Sequence, residues 1–211
     1  MAWSGRNGYL SRSEMEGNAA EIWAFFGSRG WSSNAVAAML ANMQGESGIN
    51  PGIWENLTAF SGGYGLTQWT PYTKYSQWAG SGWQNNGPLE CQRIQYEADN
   101  NIQWFRNPYC PIVEPPITFK QFTTSNLDLT TLTRYFEWYY EHSAATTHPE
   151  RAEYAQSWYT FITGQAPPPD VPTPPDDPNP PVSRLDIPAV LLAVPGITKR
   201  LMTGQRANRR K

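Results

Sequence analysis

Between Gln165 and Pro181 the chain is dominated by proline and aspartate. Proline brings a fixed φ and no backbone N–H, so such a run joins neither helix nor sheet and reads as an extended polyproline-II spacer. The spacer divides everything else. Before it lies enough chain for one packed domain, residues 13–164, preceded by a polar, glycine-containing arm over residues 1–12. After it come residues 182–211, with one short apolar run, I-P-A-V-L-L-A-V-P, held between prolines. That run falls well below the ~20 apolar residues of a membrane span, and the segment is too small to fold alone. We read it as a docking peptide with a basic end; a tail with no partner is the alternative. Lys199 to Lys211 contain six basic residues and no acidic one, leaving 10 basic against 18 acidic residues before them, about −8. A body of that sign is not expected to bind nucleic acid non-specifically.

The body reads as mainly α-helical. Ser13 and Glu16 fit a capping box ahead of Ala19, Ile22, Trp23 and Phe26 at helical spacing, and Gly27 and Gly30 end that helix. Ser32 or Ser33 caps the next, whose stripe is Val36, Met39, Leu40 and Met43. Three residues on, the stripe reaches Glu46, in the last turn before Gly48 and Pro51 stop the helix. Residues 52–70 hold too many glycines for a helix and read as loop and short hairpin. Tyr72 to Ala79 suggest a short helix. From Pro88 a longer one is predicted to about Phe105, with Cys91, Ile94, Ala98, Ile102 and Phe105 on one face. Residues 106–126 are proline-broken and read as irregular. Leu129, Leu132, Phe136 and Tyr139 or Tyr140 mark a further helix, and a last one runs from Pro149 to its stop at Gly164.

Two stretches stand out chemically: N-M-Q-G-E-S-G-I-N-P over Asn42 to Pro51, and S-G-G-Y-G-L-T-Q-W-T over Ser61 to Thr70. A carboxyl on an apolar helix face is desolvated, and at a helix C-terminus it also meets partial negative charge. Both favour a proton donor, and Glu46 occupies such a position; a glutamate turned to solvent is the bland alternative. In the second stretch the glycines let backbone approach a ligand closely, Gln68 offers both ends of an amide, and Trp69 offers a stacking face. A plain hairpin with a core tryptophan is the competing reading. The chain has 10 tryptophans and 11 tyrosines, enough to supply both a core and a sugar-stacking groove.

The stretch from A-A-E-I-W-A-F-F through E-S-G-I-N-P to G-G-Y-G-L-T-Q-W-T resembles the phage tail lysozyme family, which is related to goose-type lysozymes and soluble lytic transglycosylases. The resemblance extends through R-Y-F-E-W at Arg134 to Trp138 and R-A-E-Y-A at Arg151 to Ala155, so it spans roughly residues 16–163. It implies an α+β lysozyme-like fold, mainly helical, with a small β-hairpin lining a glycan groove. It further implies cleavage of the β-1,4 bond between N-acetylmuramic acid and N-acetylglucosamine in peptidoglycan. By resemblance, Glu46 is the general acid, and Tyr64, Gly65, Gln68 and Trp69 hold the glycan. The implied setting is a phage virion tail, with residues 182–211 docking onto other virion proteins. The N-terminus shows no apolar run of signal-peptide length, which fits either a virion component or a cytoplasmic endolysin.

A second carboxylate is less clear. Glu55, between the two motifs, and Glu137, in the later helix, are the candidates. Glu137 follows Arg134 at one helical turn, so an ordinary surface pair also explains it. A lytic transglycosylase needs only the one acid, so hydrolysis and transglycosylation both stay open, as does a non-catalytic protein that binds peptidoglycan. No cofactor or metal is expected: His142 and His148 are the only histidines and form no zinc-binding spacing. Cys91 and Cys110 read either as buried thiols or as a disulfide. Cys91 lies on an apolar stripe, which argues for a core thiol rather than a nucleophile.

Overall fold

The computed structural model describes residues 3–108, 114–143 and 148–168. Cys110, the chain beyond Pro168 and residues 182–211, for which a docking role is expected, lie outside the described residues. The organising element is α2 (Ser33–Ser47), whose residues Asn34 to Met43 are buried all round rather than along one stripe. Alanine at 35, 37, 38 and 41 keeps the helix thin, so neighbours approach on every side. Its main partners are α7 (Glu150–Thr163) and α6 (Leu129–Phe136), with α1 (Arg12–Gly27) and the short α5 (Phe119–Thr123) completing the sheath. The α5 turn falls where the proline-broken sequence reads as irregular. Thr118 and Gln121 form a capping box there, and Phe119 and Phe122 anchor it in the core.

The first capping box is Ser11 with Glu14, two residues earlier than the Ser13–Glu16 pattern. Both patterns satisfy the spacing. Arg6 decides between them by donating to both Glu14 oxygens, at 2.5 and 2.8 Å. Ser32 is the cap of α2, its hydroxyl accepting from Ala35 N at 3.1 Å. Strands β1 (Trp54–Asn56) and β2 (Ser61–Tyr64) pair antiparallel, Trp54 opposite Tyr64 and Asn56 opposite Ser61. After α3 (Thr73–Ala79) comes α4 (Gly87–Asn100), five residues shorter than its apolar spacing suggests. Asn101 turns left-handed (φ 50°) and its side chain accepts from Phe119 N at 2.9 Å. Cys91, Ile94 and Ala98 are core, whereas Phe105 lies beyond the helix, half exposed.

The N-terminal arm is not loose. Asn18 of α1 exchanges hydrogen bonds with the Ser4 backbone, and its amide also donates to Ile49 O at 2.8 Å. Asn50 donates to Arg6 O and Gly8 O at 2.9 and 2.7 Å. Asn7 reaches the hairpin, accepting from Trp54 N at 3.2 Å and donating to Leu57 O at 2.7 Å. No helix among the described residues is long and apolar enough to cross a membrane.

Candidate active site

Helix α2 ends on Gly48, left-handed at φ 63°, and this places Glu46 in the final turn with its side chain 29% exposed. Glu46 Oε1 accepts from Arg151 Nη2 at 2.7 Å. Arg151, near the start of α7, is buried, and its Nη1 donates to Asn42 Oδ1 at 2.7 Å and to Glu141 Oε2. A Cβ on residue 45 would sit 2.9 Å from Arg151 Nε, so glycine there opens the path by which the guanidinium reaches its three acceptors. Burial opposes the charge of Arg151, but Glu141 and Glu46 outweigh it and hold the guanidinium protonated above its ordinary range. Burial, joined by the charge of Glu46, pushes the Glu141 carboxyl well above the usual carboxylate range despite Arg151.

Glu46 opens onto a cleft of about 480 Å³. The hairpin supplies one wall through Trp54, Glu55 and Leu57, and the following turn supplies Thr67, Gln68, Trp69 and Thr70. Glu141 and Tyr140 line it below. Lys74, Gln103 and His142 line it as well, together with Tyr9 from the arm. His142 stacks on Phe105 with ring centroids 3.8 Å apart, and burial followed by the charge of Lys74 lowers its pKa to about 4. The cleft therefore carries three carboxyl groups, an exposed aromatic in Tyr9 (78% exposed) and polar side chains suited to a hydroxylated ligand.

The residues expected to bind glycan divide. Gln68 lines the cleft in a left-handed conformation (φ 50°), its amide nitrogen donating to Gly65 O at 3.0 Å. Trp69 borders the cleft, but its ring is in the core, stacked on Tyr75 at 4.8 Å, with Nε1 donating to Glu97 at 3.2 Å. Tyr64 lies beneath the wall rather than on it: it is 1% exposed, its hydroxyl accepts from Asn85 N at 2.8 Å, and burial pushes its pKa up to about 12. A two-stranded hairpin has little apolar surface of its own, and Tyr64 with Trp54 and Trp83 provides it. Gly65 shapes the turn, since a Cβ there would meet Glu90 Oε2 at 2.5 Å. That buried carboxyl accepts from Leu66 N at 2.7 Å.

The two candidate second carboxylates divide as well. Glu55 lines the cleft, with Oε2 accepting from Gly63 N at 2.8 Å. Glu137 is 1% exposed, hydrogen-bonded to His148 Nδ1 at 2.6 Å, and does not line the cleft. It is neither the surface pair with Arg134 nor part of the cleft wall.

Glu141 is what the sequence reading missed. After Phe136 the helix widens into a π-helical turn, Glu137–Glu141, closed by His142 N–H donating to Glu137 O. In an α-helix five residues advance about 1.4 turns, which would put residue 141 on the far side from Phe136. In a π-turn the same five residues make about one turn, and Glu141 comes back to the inner face. Tyr9 had no sequence signal either, because the arm is fixed by side-chain contacts of Arg6, Asn7, Asn18 and Asn50 that follow no periodicity.

A mainly helical domain with a two-stranded hairpin walling an acidic cleft is lysozyme-like in architecture. Residues 17–162 match the phage tail lysozyme family, and the chain belongs to that family. It is also 43% identical over 166 residues to Morphogenesis protein 1 of Bacillus phage B103. The alignment takes in 76% of this chain and 43% of that protein, so the chain spans less than half the length of this relative.

Proposed function

We propose that the protein is a muramidase: it cleaves the β-1,4 bond between N-acetylmuramic acid and N-acetylglucosamine in peptidoglycan, with Glu46 as the general acid. The observation that carries this reading is the position of Glu46, a part-exposed carboxyl on the last turn of a buried helix, opening onto a cleft walled by the hairpin. Family membership supports the substrate class. Gln68 and the adjoining turn hold the sugar, with Trp69, Tyr64 and Gly65 shaping the wall from behind. Glu46 protonates the glycosidic oxygen. Glu55, the candidate base, activates a water across the cleft. The setting is a phage virion, where residues 182–211 fasten the enzyme to other particle proteins for local wall penetration during infection.

Digestion of purified peptidoglycan with the protein and with Glu46→Gln, followed by mass analysis of soluble products, tests the assignment. Reducing-end muropeptides from the wild type and a loss of at least about 100-fold in the variant are expected. Equal activity in the two would remove Glu46 as the acid. Anhydro-muropeptides would identify a lytic transglycosylase using the same Glu46, with no need of Glu55. Binding without products from the wild type would identify a wall-binding structural protein. Deleting residues 165–211 is expected to leave soluble wall-cleaving activity and abolish incorporation into particles. Normal incorporation of the truncated chain would remove the docking role.

A further inference from the structure

Two carboxyl groups of the cleft share one guanidinium. Arg151 uses Nη2 for Glu46 Oε1 and Nη1 for Glu141 Oε2, and a third acceptor, Asn42 Oδ1, fixes the fork in place. Glu141 is the more deeply held of the two, its side chain 5% exposed against 29% for Glu46. Its second oxygen, Oε1, is buried and has no hydrogen-bond partner among the described residues, although Glu141 lines the cleft. A buried carboxyl with one oxygen bonded to arginine and the other unmatched is costly as a purely structural element. It is delivered there by a π-turn, an insertion that an uninterrupted α-helix would not need.

We infer that Glu141 is a positioning residue that acts on Glu46 through Arg151: by competing for the same guanidinium, it keeps Arg151 from locking Glu46 as a carboxylate and so leaves Glu46 able to carry the proton it donates. This rests on the proposed role of Glu46. The physical reason is charge balance. One arginine neutralises one carboxylate, so with both glutamates ionised the trio carries a net negative charge in a partly dry site. A single proton relieves that charge, and either carboxyl can take it while the other keeps the arginine. Without an acidic group at 141, a proton on Glu46 would leave the buried Arg151 with no anion.

Other charged groups bear on the pair. On its own turn Glu141 faces Glu137, which His148 engages from the segment before α7. Glu46 shares the cleft with Glu55 on β1, and Lys74 on α3 acts on His142 beside Glu141. None of these touches both members. Arg151 does.

The test is the pH profile of peptidoglycan cleavage by Glu141→Gln, which retains shape and an oxygen for Arg151 but removes the acid. The alkaline limb is expected to move down by about one pH unit, with activity retained on the acid side. An unmoved limb in a folded variant would make Glu141 structural only. Loss at every pH in a folded variant would make it a group that touches substrate. Both outcomes overturn the inference. A second measurement needs neither activity nor a change at 141: the carboxyl carbon of Glu141 is titrated by ¹³C NMR in the wild type and in Glu46→Gln, where the altered side chain is part-exposed. Coupling predicts that Glu141 titrates at lower pH in the variant, because one source of its upward displacement is gone. An unchanged titration would overturn the inference. If the wild type cleaves no peptidoglycan, the muramidase reading fails, and the NMR titration still decides whether the two carboxyls are coupled.

Discussion

At the scale of single residues, Gly45 shows how a small side chain serves a distant one. Alanine is favoured over glycine in a helix by about 1 kcal/mol. At residue 45, however, a Cβ would press on Arg151 Nε at 2.9 Å, and the three acceptors of Arg151 leave it little room to yield. Gly45→Ala is therefore expected to change the melting temperature little while lowering cleavage by an order of magnitude or so. A variant as active as wild type would show that the guanidinium tolerates displacement. His142 carries a pH dependence. Its folded-state pKa of about 4 lies below the ordinary 6.5, so between these values the unfolded chain takes up a proton that the folded one does not. Stability from this residue is thus complete above about 6.5 and lost as pH falls toward 4. His142→Gln should flatten the fall in thermal stability over that window, and denaturant melts at several pH values measure it. Glu46 was legible in the sequence, because an unbroken apolar stripe and the Gly48 stop fix its turn. Tyr64 was legible as important but not as buried, and for Trp69 the groove and the core were both open. Composition does not say whether an aromatic beside glycines faces a ligand or fills the space under a thin hairpin.

At the scale of elements, helix existence was easier to read than helix ends. The face through Cys91, Ile94 and Ala98 is real, but the same spacing runs on into Ile102 and Phe105, past the point where Asn101 caps the helix. The flank of that buried face held more information than the hydrophobic stripe itself. Glu97 is buried there, accepting from Arg93 at 2.8 Å, from the Tyr140 hydroxyl at 2.5 Å and from Trp69 Nε1. It ties α4 to the turn after the hairpin and to the π-turn, the two elements that carry Gln68 and Glu141. Burial, chiefly, raises the Glu97 pKa, while Tyr140 and Arg93 oppose it. Glu97→Ala would leave Arg93 buried without its partner and is expected to cost about 3–5 kcal/mol in unfolding free energy. A loss below about 1 kcal/mol in denaturant titration would mean that the network adds nothing beyond packing. The π-turn itself escaped the sequence. A periodicity argument assumes one period, and here the period changes between Phe136 and His142.

At the scale of the whole molecule, one core built on α2 holds every residue of the cleft. Part of that cleft comes from segments that lack helical or strand structure. Tyr9 is the clearest case, brought to the cleft by an arm that the polar sequence made look dispensable. Removal of residues 1–10 should therefore destabilise the domain, as well as weaken glycan binding, since Asn18 and Asn50 would lose their partners in the arm. Side-chain amides that bond backbone at 2.7–2.9 Å are worth roughly 1 kcal/mol each. Unchanged melting of the shortened chain would contradict this. The arm has another consequence, for self-association. A short hairpin exposed at a protein surface is an invitation to strand exchange, because its outer edge presents unpaired N–H and C=O groups to any passing chain. Asn7 occupies Trp54 N–H and Leu57 C=O with a single amide, filling the place of a neighbouring strand without being one. Crowded copies of this domain thus meet a hairpin whose outer edge is already partly occupied.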